Sequence, residues 1–429
     1  MSEKQATKLK GNELRYFCVF SAILIFAVSF MVDSPQEIIS GMYKILTSRG
    51  ALITDYIGLA GYGAAFFNAG LMFVLGMILI ELSKSPYTGI SLAALFINAG
   101  FGLWGKNPAN ALPIIFGTWL YAKLQGTNFS RYVYTALFTT CLGPFVTEMV
   151  FILPFSHWCN LAVAILVGIF IGFVMPPLSM HTASVHMGYN LFNVGFSSGI
   201  LAFVMFSILK SFGISNESVF IWQEGRSLKI VLGLLLYFVF VFLLGLWMEG
   251  GNIKLLFRIT RHPGRAVADF IVMDGIGATL MNMGAMGILA EAYVWLIGGD
   301  FSGPIIGCIL TVFGFAAFGA HLRNYPPLLL GVFLSTFLSV HTPLTPGIMI
   351  AALFIVGIAP VAGQFGVVIG ILTGIIHAAV VMCTSPLYGG LNLYNNGFSE
   401  GMICVVIIPL VESFMKQFEN RKHRKRDSK

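Results

Sequence analysis

The sequence predicts an all-α integral membrane protein of about 14 transmembrane helices, in two tandem seven-helix repeats of opposite orientation. Three observations carry this. Only 10% of its 429 residues are charged while 57% are hydrophobic, and the mean hydropathy is +0.85. That is too little charge to coat a water-facing surface of this size, so lipid must cover most of it. Runs of about 20 apolar residues, the length of a membrane-crossing helix, recur along the chain, without the strand-like alternation of a membrane barrel. Finally, residues 188–199 (GYNLFNVGFSSG) and 390–401 (GLNLYNNGFSEG) are one segment written twice, identical at eight of twelve positions. Internal duplication in so apolar a chain is typical of membrane transporters.

The first apolar run, Tyr16 to Val32, follows a basic stretch as a signal peptide would. It has no small-residue cleavage site and leads into further apolar runs, so it reads as a retained first helix. Ile38, Ile39, Met42, Ile45 and Leu46 then form one apolar face of a helix lying in the interface. The first repeat (13–212) continues with spans near 56–82, 88–104, 108–125, 131–153, 158–178 and 188–209. The second (227–415) repeats the plan near 228–248, 269–297, 303–320, 325–341, 346–362, 365–383 and 391–411. Segments 55–72 and 269–286 correspond through Asp55/Asp269, Gly61/Gly275, Gly63/Gly277, Asn68/Asn282 and Gly70/Gly284. Segment 43–50 likewise matches 257–264, 105–117 matches 319–331, and GxxxG steps recur at Gly168/Gly172 and Gly370/Gly374.

An odd number of crossings per repeat turns the second repeat upside down, and the charges follow that expectation. Lys44 and Arg49 are offset by Asp33, Glu37 and Asp55, whereas the equivalent loop of the second repeat carries Lys254, Arg258, Arg261 and Arg265. Lys123 and Arg131 have no basic counterpart between Ser339 and Thr345; Lys106 and Lys210, on the expected outer side, run against the pattern. The tail 416–429 holds seven Lys/Arg against two acids and the first fifteen residues four against two, which puts both termini in the cytoplasm. The KHRKR run reads as a topology signal or anionic-lipid contact rather than a nucleic-acid arm. The six cysteines are scattered without a CxxC pair and read as packing residues.

With the motif N-L-(F/Y)-N-x-G-F-S-x-G at 190–199 and 392–401, the chain resembles a family of bacterial multi-pass membrane proteins of unknown function built from two copies of one domain. The resemblance covers essentially the full length and implies no substrate or mechanism. The 7+7 plan is also similar in helix number to nucleobase and anion transporters, with no shared motif.

On a helix at 100° per residue, Asn190, Asn193 and Ser197 share one face while Gly188, Gly195 and Gly199 share the opposite one. Asn392, Asn395 and Ser399 repeat this against Gly390, Gly397 and Gly401, with Asn396 and Glu400 as added polar neighbours. The glycine face is expected to press on a neighbour such as the preceding GxxxG helix, and the amide face to line a site for a small-molecule or ion substrate. The alternative is that these amides glue helices together. Pro176-Pro177 and the Pro386–Gly390 stretch should break the helices ahead of each motif.

Asp55 and Asp269 read as helix N-caps. Asn68 and Asn282, thirteen residues deeper, need internal partners, and the glycines above them suggest discontinuous helices. Glu148, Asp274 and Glu291 sit in apolar spans without duplicated counterparts, Glu148 aligning with Gln364; Glu148 is the first candidate for proton coupling. His181, His186 and His377 are of the type that titrates near neutral pH, and His181 and His186, in the loop before the first motif, read as solvated loop histidines. No Lys or Arg is expected deep in the bundle, which favours neutral polar or cationic cargo.

There is no GxxxxGK(S/T), HExxH or GxSxG element, so nucleotide coupling and familiar hydrolytic chemistry are unsupported, and no cofactor, metal or nucleic-acid partner is expected. The resulting expectation is a bacterial inner-membrane secondary transporter, not an enzyme, coupled to H⁺ or Na⁺ and surrounded by membrane lipid, with a homodimer compatible with the sequence. A passive channel or a membrane-embedded enzyme without a recognisable motif are the alternatives.

Overall fold

The structure, a computed structural model, describes residues 3–217 and 219–427, with side chains over 12–217 and 219–417. The side chains of residues 1–11 and 418–429, which carry most of the charge of the two basic termini, lie outside the described residues.

The first copy comprises α1 (Glu3–Val32), α2 (Pro35–Thr47), α3 (Tyr56–Ala60), α4 (Tyr62–Leu82), α5 (Gly89–Phe101), α6 (Pro108–Leu124), α7 (Val133–Thr139), α8 (Gly143–Ile152), α9 (His157–Val185) and α10 (Asn193–Ser211). The second comprises α11 (Leu228–Met248), α12 (Lys254–Ile259), α13 (Phe270–Met273), α14 (Ile276–Leu296), α15 (Gly303–Phe315), α16 (Tyr325–Ser335), α17 (Pro346–Phe354), α18 (Ala359–Phe365), α19 (Val367–Thr384) and α20 (Asn395–Asp427). Every helix of the first copy has its counterpart ten places later. Nine helical stretches among the described residues are long and apolar enough to cross a bilayer, so this is a multi-pass membrane protein.

The spans expected at 88–104, 303–320 and 325–341 form helices of only 13, 13 and 11 residues. Thirteen residues rise about 20 Å, short of the roughly 30 Å hydrocarbon core. α5 and α15 stop where an amide takes their last carbonyls. Asn68 Nδ2 donates to Gly102 O (2.6 Å) and Lys106 O (2.8 Å), and Asn282 Nδ2 to Ala316 O (2.8 Å) and Ala320 O (2.9 Å). Both amides are therefore engaged with backbone.

Discontinuities occur where the sequence hinted and also where it did not. Gly61 (φ 90°) and Gly275 (φ 96°) separate α3 from α4 and α13 from α14 in a conformation that side chains rarely adopt. Short 3-10 turns at Thr140–Leu142 and Ile355–Ile358, each followed by a proline (Pro144, Pro360), break α7 from α8 and α17 from α18. The break expected at Pro176-Pro177 is absent: α9 runs through both prolines. Pro176 leaves Gly172 O without its usual N–H, and the Thr118 hydroxyl of α6 supplies a hydrogen bond at 2.9 Å instead.

The two copies meet through equivalent helices. α5 and α15 lie side by side with opposed directions: Gly89 abuts Ala317, Gly303 abuts Leu103, and Gly100 meets Gly307 so closely that a Cβ on either would strike the other's carbonyl oxygen. Each pair end is closed by an aspartate of the opposite copy. Asp269 accepts from Gly89 N (3.0 Å) and Ile90 N (3.3 Å), and Asp55 accepts from Gly303 N (3.1 Å). These residues also cap their own short helices, as the sequence implied. α10 and α20 form the second cross-copy contact. Gly195 faces Tyr394 and Gly397, Gly199 faces Phe398, and Gly401 faces Phe196. Gly195, Gly199, Gly397 and Gly401 thus pack on the other motif, not on the preceding helix, while Gly188 and Gly390 meet Ala266 and Leu52. The GxxxG steps instead press α9 onto Pro113 and Ile114 of α6, and α19 onto Pro327 and Leu328 of α16.

Between these contacts lies a buried aromatic cluster that obeys the same duplication. The Phe101–Tyr394 centroid distance of 5.1 Å is matched by Phe192–Phe315 at 4.7 Å, and Phe101–Phe354 at 5.8 Å by Phe138–Phe315 at 6.2 Å. Phe192 and Tyr394, equivalent residues of the two motifs, meet at 5.1 Å between ring centroids.

Candidate functional site

A cavity of about 620 Å³ opens beside the first motif. Its walls include His186, Asn190, Asn193, Tyr134 and Arg265, and it ends on Phe138, Phe192 and Tyr394 of the aromatic cluster. The non-helical segment between α9 and α10 shapes it. Gly188 (φ 79°) turns the chain and its carbonyl accepts Ala266 N at 2.9 Å, which brings Arg265 to the rim. The Arg265 guanidinium lies 4.6 Å from the Tyr189 ring centroid and donates to Met187 O at 2.5 Å. Asn190 folds an Asx turn by accepting Phe192 N (2.8 Å) and donates across the copies to Gly397 O (2.9 Å). Asn193 Oδ1 accepts from Thr182 (2.8 Å) and His186 Nε2 (2.9 Å), while its amide donates to Ser179 O (2.8 Å). Since His186 Nδ1 receives Asn190 N at 3.3 Å, this network fits a neutral ring protonated on Nε2. His186 is a cavity wall, not a solvated loop histidine.

The remaining motif residues are packed inside. Ser197 bonds to Thr182 at 2.6 Å and Ser399 to Thr384 at 2.8 Å. Asn395 Oδ1 accepts from Thr384 (2.8 Å) and from the Tyr388 hydroxyl, and its amide donates to Val381 O at 3.1 Å. Asn392 Oδ1 accepts Tyr394 N at 3.0 Å, but its amide nitrogen has no partner among the described residues. Around the second motif larger side chains stand in for the cavity walls: Tyr388 for His186, Trp104 for Phe318 and Leu52 for Ala266, with Tyr388 and Trp104 fully buried. The linker between the copies crosses here too, Asn216 donating to Gly389 O at 2.8 Å and Ile53 pairing with Val219 and Ile221.

The titratable groups separate into paired and unpaired. Glu148 is buried and ion-paired with Arg49 at 2.8 Å, accepting Gly50 N at 3.1 Å as well. Asp274 is paired with Arg258 (2.7 Å) and His262 (2.9 Å). Glu291 and Glu400 are buried, with neither carboxyl oxygen partnered among the described residues. The expectation of no deep cation is overturned by Lys106, which is wholly buried, with Nζ 2.9 Å from Asn98 Oδ1 and 5.0 Å from the Phe101 centroid. Its trace in the sequence was a lysine out of keeping with the charge pattern, where the second copy has Ala320. The fold curls the residues after α5 back under the helix, so a position that reads as loop ends up inside. Among the described residues no group of three His, Cys, Asp or Glu is arranged to hold a metal ion.

The family described as "Protein of unknown function (DUF1576)" matches residues 34–211 and 248–413, once on each copy. The chain belongs to the DUF1576 family. No curated protein and no solved structure matches it. The two DUF1576 regions cover both motifs, both cross-copy aspartates and every cavity residue named above, so the site lies within the family's repeated domain.

Proposed function

We propose that this DUF1576 protein is an ion-coupled secondary transporter of a small polar solute, working by alternating access between two inverted repeats. The observation that carries the reading is the blind cavity at the first motif, stopped by the aromatic contact between the motif copies. Equivalent helices meet head to tail at α5 and α15, an arrangement expected of halves inserted in opposite orientation. The half-length helices fit the same class, which builds sites from broken helices in mid-membrane. With those elements counted as paired or partial crossings, the chain retains a seven-plus-seven plan. The basic tails support an inner-membrane protein with both termini cytoplasmic.

The described walls of the cavity include Arg265 and His186 and no carboxylate. A neutral or anionic polar solute therefore suits it better than a cation, where the sequence favoured neutral polar or cationic cargo. A channel reading lacks a polar stripe through the aromatic seal, and an enzyme reading lacks a carboxylic acid beside His186. The test is counterflow with purified protein in liposomes against a metabolite library. Accumulation of one solute class, lost in Asn193→Ala, supports the reading; flux without saturation or counterflow would mean a channel instead.

A further inference from the structure

Glu400 lies in α20 at the position where the first copy has Ser198. Ser198 has a partner, Cys141 Sγ at 3.2 Å, from the break between α7 and α8. The residue equivalent to Cys141, in register through Pro144 and Pro360, is Gly357. A Cβ on Gly357 would overlap both the Glu400 carboxyl and the Phe192 ring, so the three meet at one point. Glu400 therefore sits in a notch left by a glycine in a broken helix, fully buried, with neither oxygen hydrogen-bonded among the described residues. Phe192 also lines the cavity. The ring that meets the Gly357 notch beside the unpartnered carboxyl is therefore also part of the cavity wall.

Among the described residues the surroundings offer no counter-charge. Tyr394 and Cys404 are the nearest titratable groups on its own segment. Cys141 approaches from the α7–α8 break, also beside Tyr394. His377 of α19 is turned to Asn396 at 3.1 Å, α17 presents no titratable residue, and the single titratable residue of α10, Lys210, lies at that helix's far end, 5.0 Å from the Phe206 ring centroid. A bare carboxylate in such a place is strongly disfavoured, whereas a neutral acid is tolerated. Glu148, by contrast, already has Arg49 as a counter-ion.

We propose that Glu400 is the site that takes up and releases the coupling proton, and that Phe192 is the gate between it and the cavity. This rests on the transporter reading of that cavity. When the Phe192 ring swings aside, cavity water reaches the carboxyl. A hydronium ion transfers its proton to one oxygen, leaving water, and the reverse transfer releases it; no other bond changes. Glu291 shares the unpartnered carboxyl but belongs to α14, which packs on α11 and α15 away from the motif contact.

The test needs no cargo. Dicyclohexylcarbodiimide adds to a protonated carboxyl in an apolar site, and peptide mass spectrometry locates the adduct in protein reconstituted in liposomes. Wild type should be modified at Glu400, more slowly at alkaline pH, and not at Glu148. Phe192→Ala should speed Glu400 modification severalfold while leaving Glu291 unchanged, and Glu400→Gln should abolish the adduct on that peptide. Phe192→Leu, a smaller change, serves if the alanine variant fails to fold. Failure to modify Glu400 in both wild type and gate variants, with Glu291 modified in the same samples, overturns the proposal. So does a rate set by Na⁺ at constant pH, which would make the ion sodium. Counterflow that persists without Glu400 modification would leave the transporter reading intact and remove only the proton site. Modification as expected in a protein without counterflow would remove the transporter reading and leave a gated proton site.

Discussion

Replacing Asp55 by alanine separates a local cap from a bond between the two copies. The Asp55 carboxyl accepts Ile57 N at 2.8 Å within its own helix, Gly303 N at 3.1 Å at the start of α15, and Gln223 N at 2.9 Å in the linker. A lost N-cap alone costs about 1 kcal/mol. Each further hydrogen bond to a charged acceptor contributes about 1.5–3 kcal/mol, so the full loss is about 4–7 kcal/mol before water enters the gap. Asp269→Ala should cost less, since its three bonds are 3.0, 3.3 and 3.3 Å long. The two sites cap opposite ends of the α5–α15 pair, about 20 Å apart at 1.5 Å per residue, so their effects should add. The assay is reversible unfolding in mixed micelles, with Ser34→Ala, which removes the exposed cap of α2, as a small-effect reference. If each aspartate variant loses no more than about 1 kcal/mol, the expectation for an ordinary cap, the cross-copy bonds contribute nothing and the reasoning fails.

Arg49→Met should destabilise more than Glu148→Gln, since it strands a fully buried carboxylate, by about 3–5 kcal/mol in the same unfolding assay; neither should alter the pH profile of transport if Glu148 is only structural. Asn193→Ala should lower uptake with little loss of folded protein, whereas Asn395→Ala, enclosed by Thr384, Tyr388 and Val381, should act mainly on yield, as size-exclusion chromatography would show. Arg265→Gln should weaken binding of anionic solutes relative to neutral ones in competition counterflow, because it removes the rim cation. Gly100→Val should prevent accumulation of folded protein, since its Cβ would strike Gly307 O.

The membrane class and the duplication were legible because both are written in local composition and pattern. The discontinuity at Gly61 and Gly275 was legible too, since glycine at a helix junction is a backbone requirement. Pro176-Pro177 misled because the cost of a proline depends on who takes the freed carbonyl, and Thr118, more than fifty residues away, cannot be matched to Gly172 by pattern. Lys106 and the Arg49–Glu148 pair were missed for a related reason. Burial of a charge next to a turn is decided by how the chain folds back, not by the residues flanking it.

The duplicated polar residues proved to have structural partners. Asn68 and Asn282 close helix ends, Asp55 and Asp269 tie the copies together, and Asn193 and Asn395 each hold a threonine of the preceding helix. What differs between the copies is the ionisable inventory: Lys106 against Ala320, Glu148 against Gln364, Glu291 against Met77, Glu400 against Ser198. A twofold scaffold with all such groups duplicated would place like charges symmetrically about its axis, where they repel in a medium of low dielectric constant. Keeping each on one side avoids that cost and makes the two faces of the aromatic seal chemically unequal. The duplication thus accounts for the frame shared by the halves, and its local violations fall at the buried ionisable groups, Lys106, Glu148, Glu291 and Glu400.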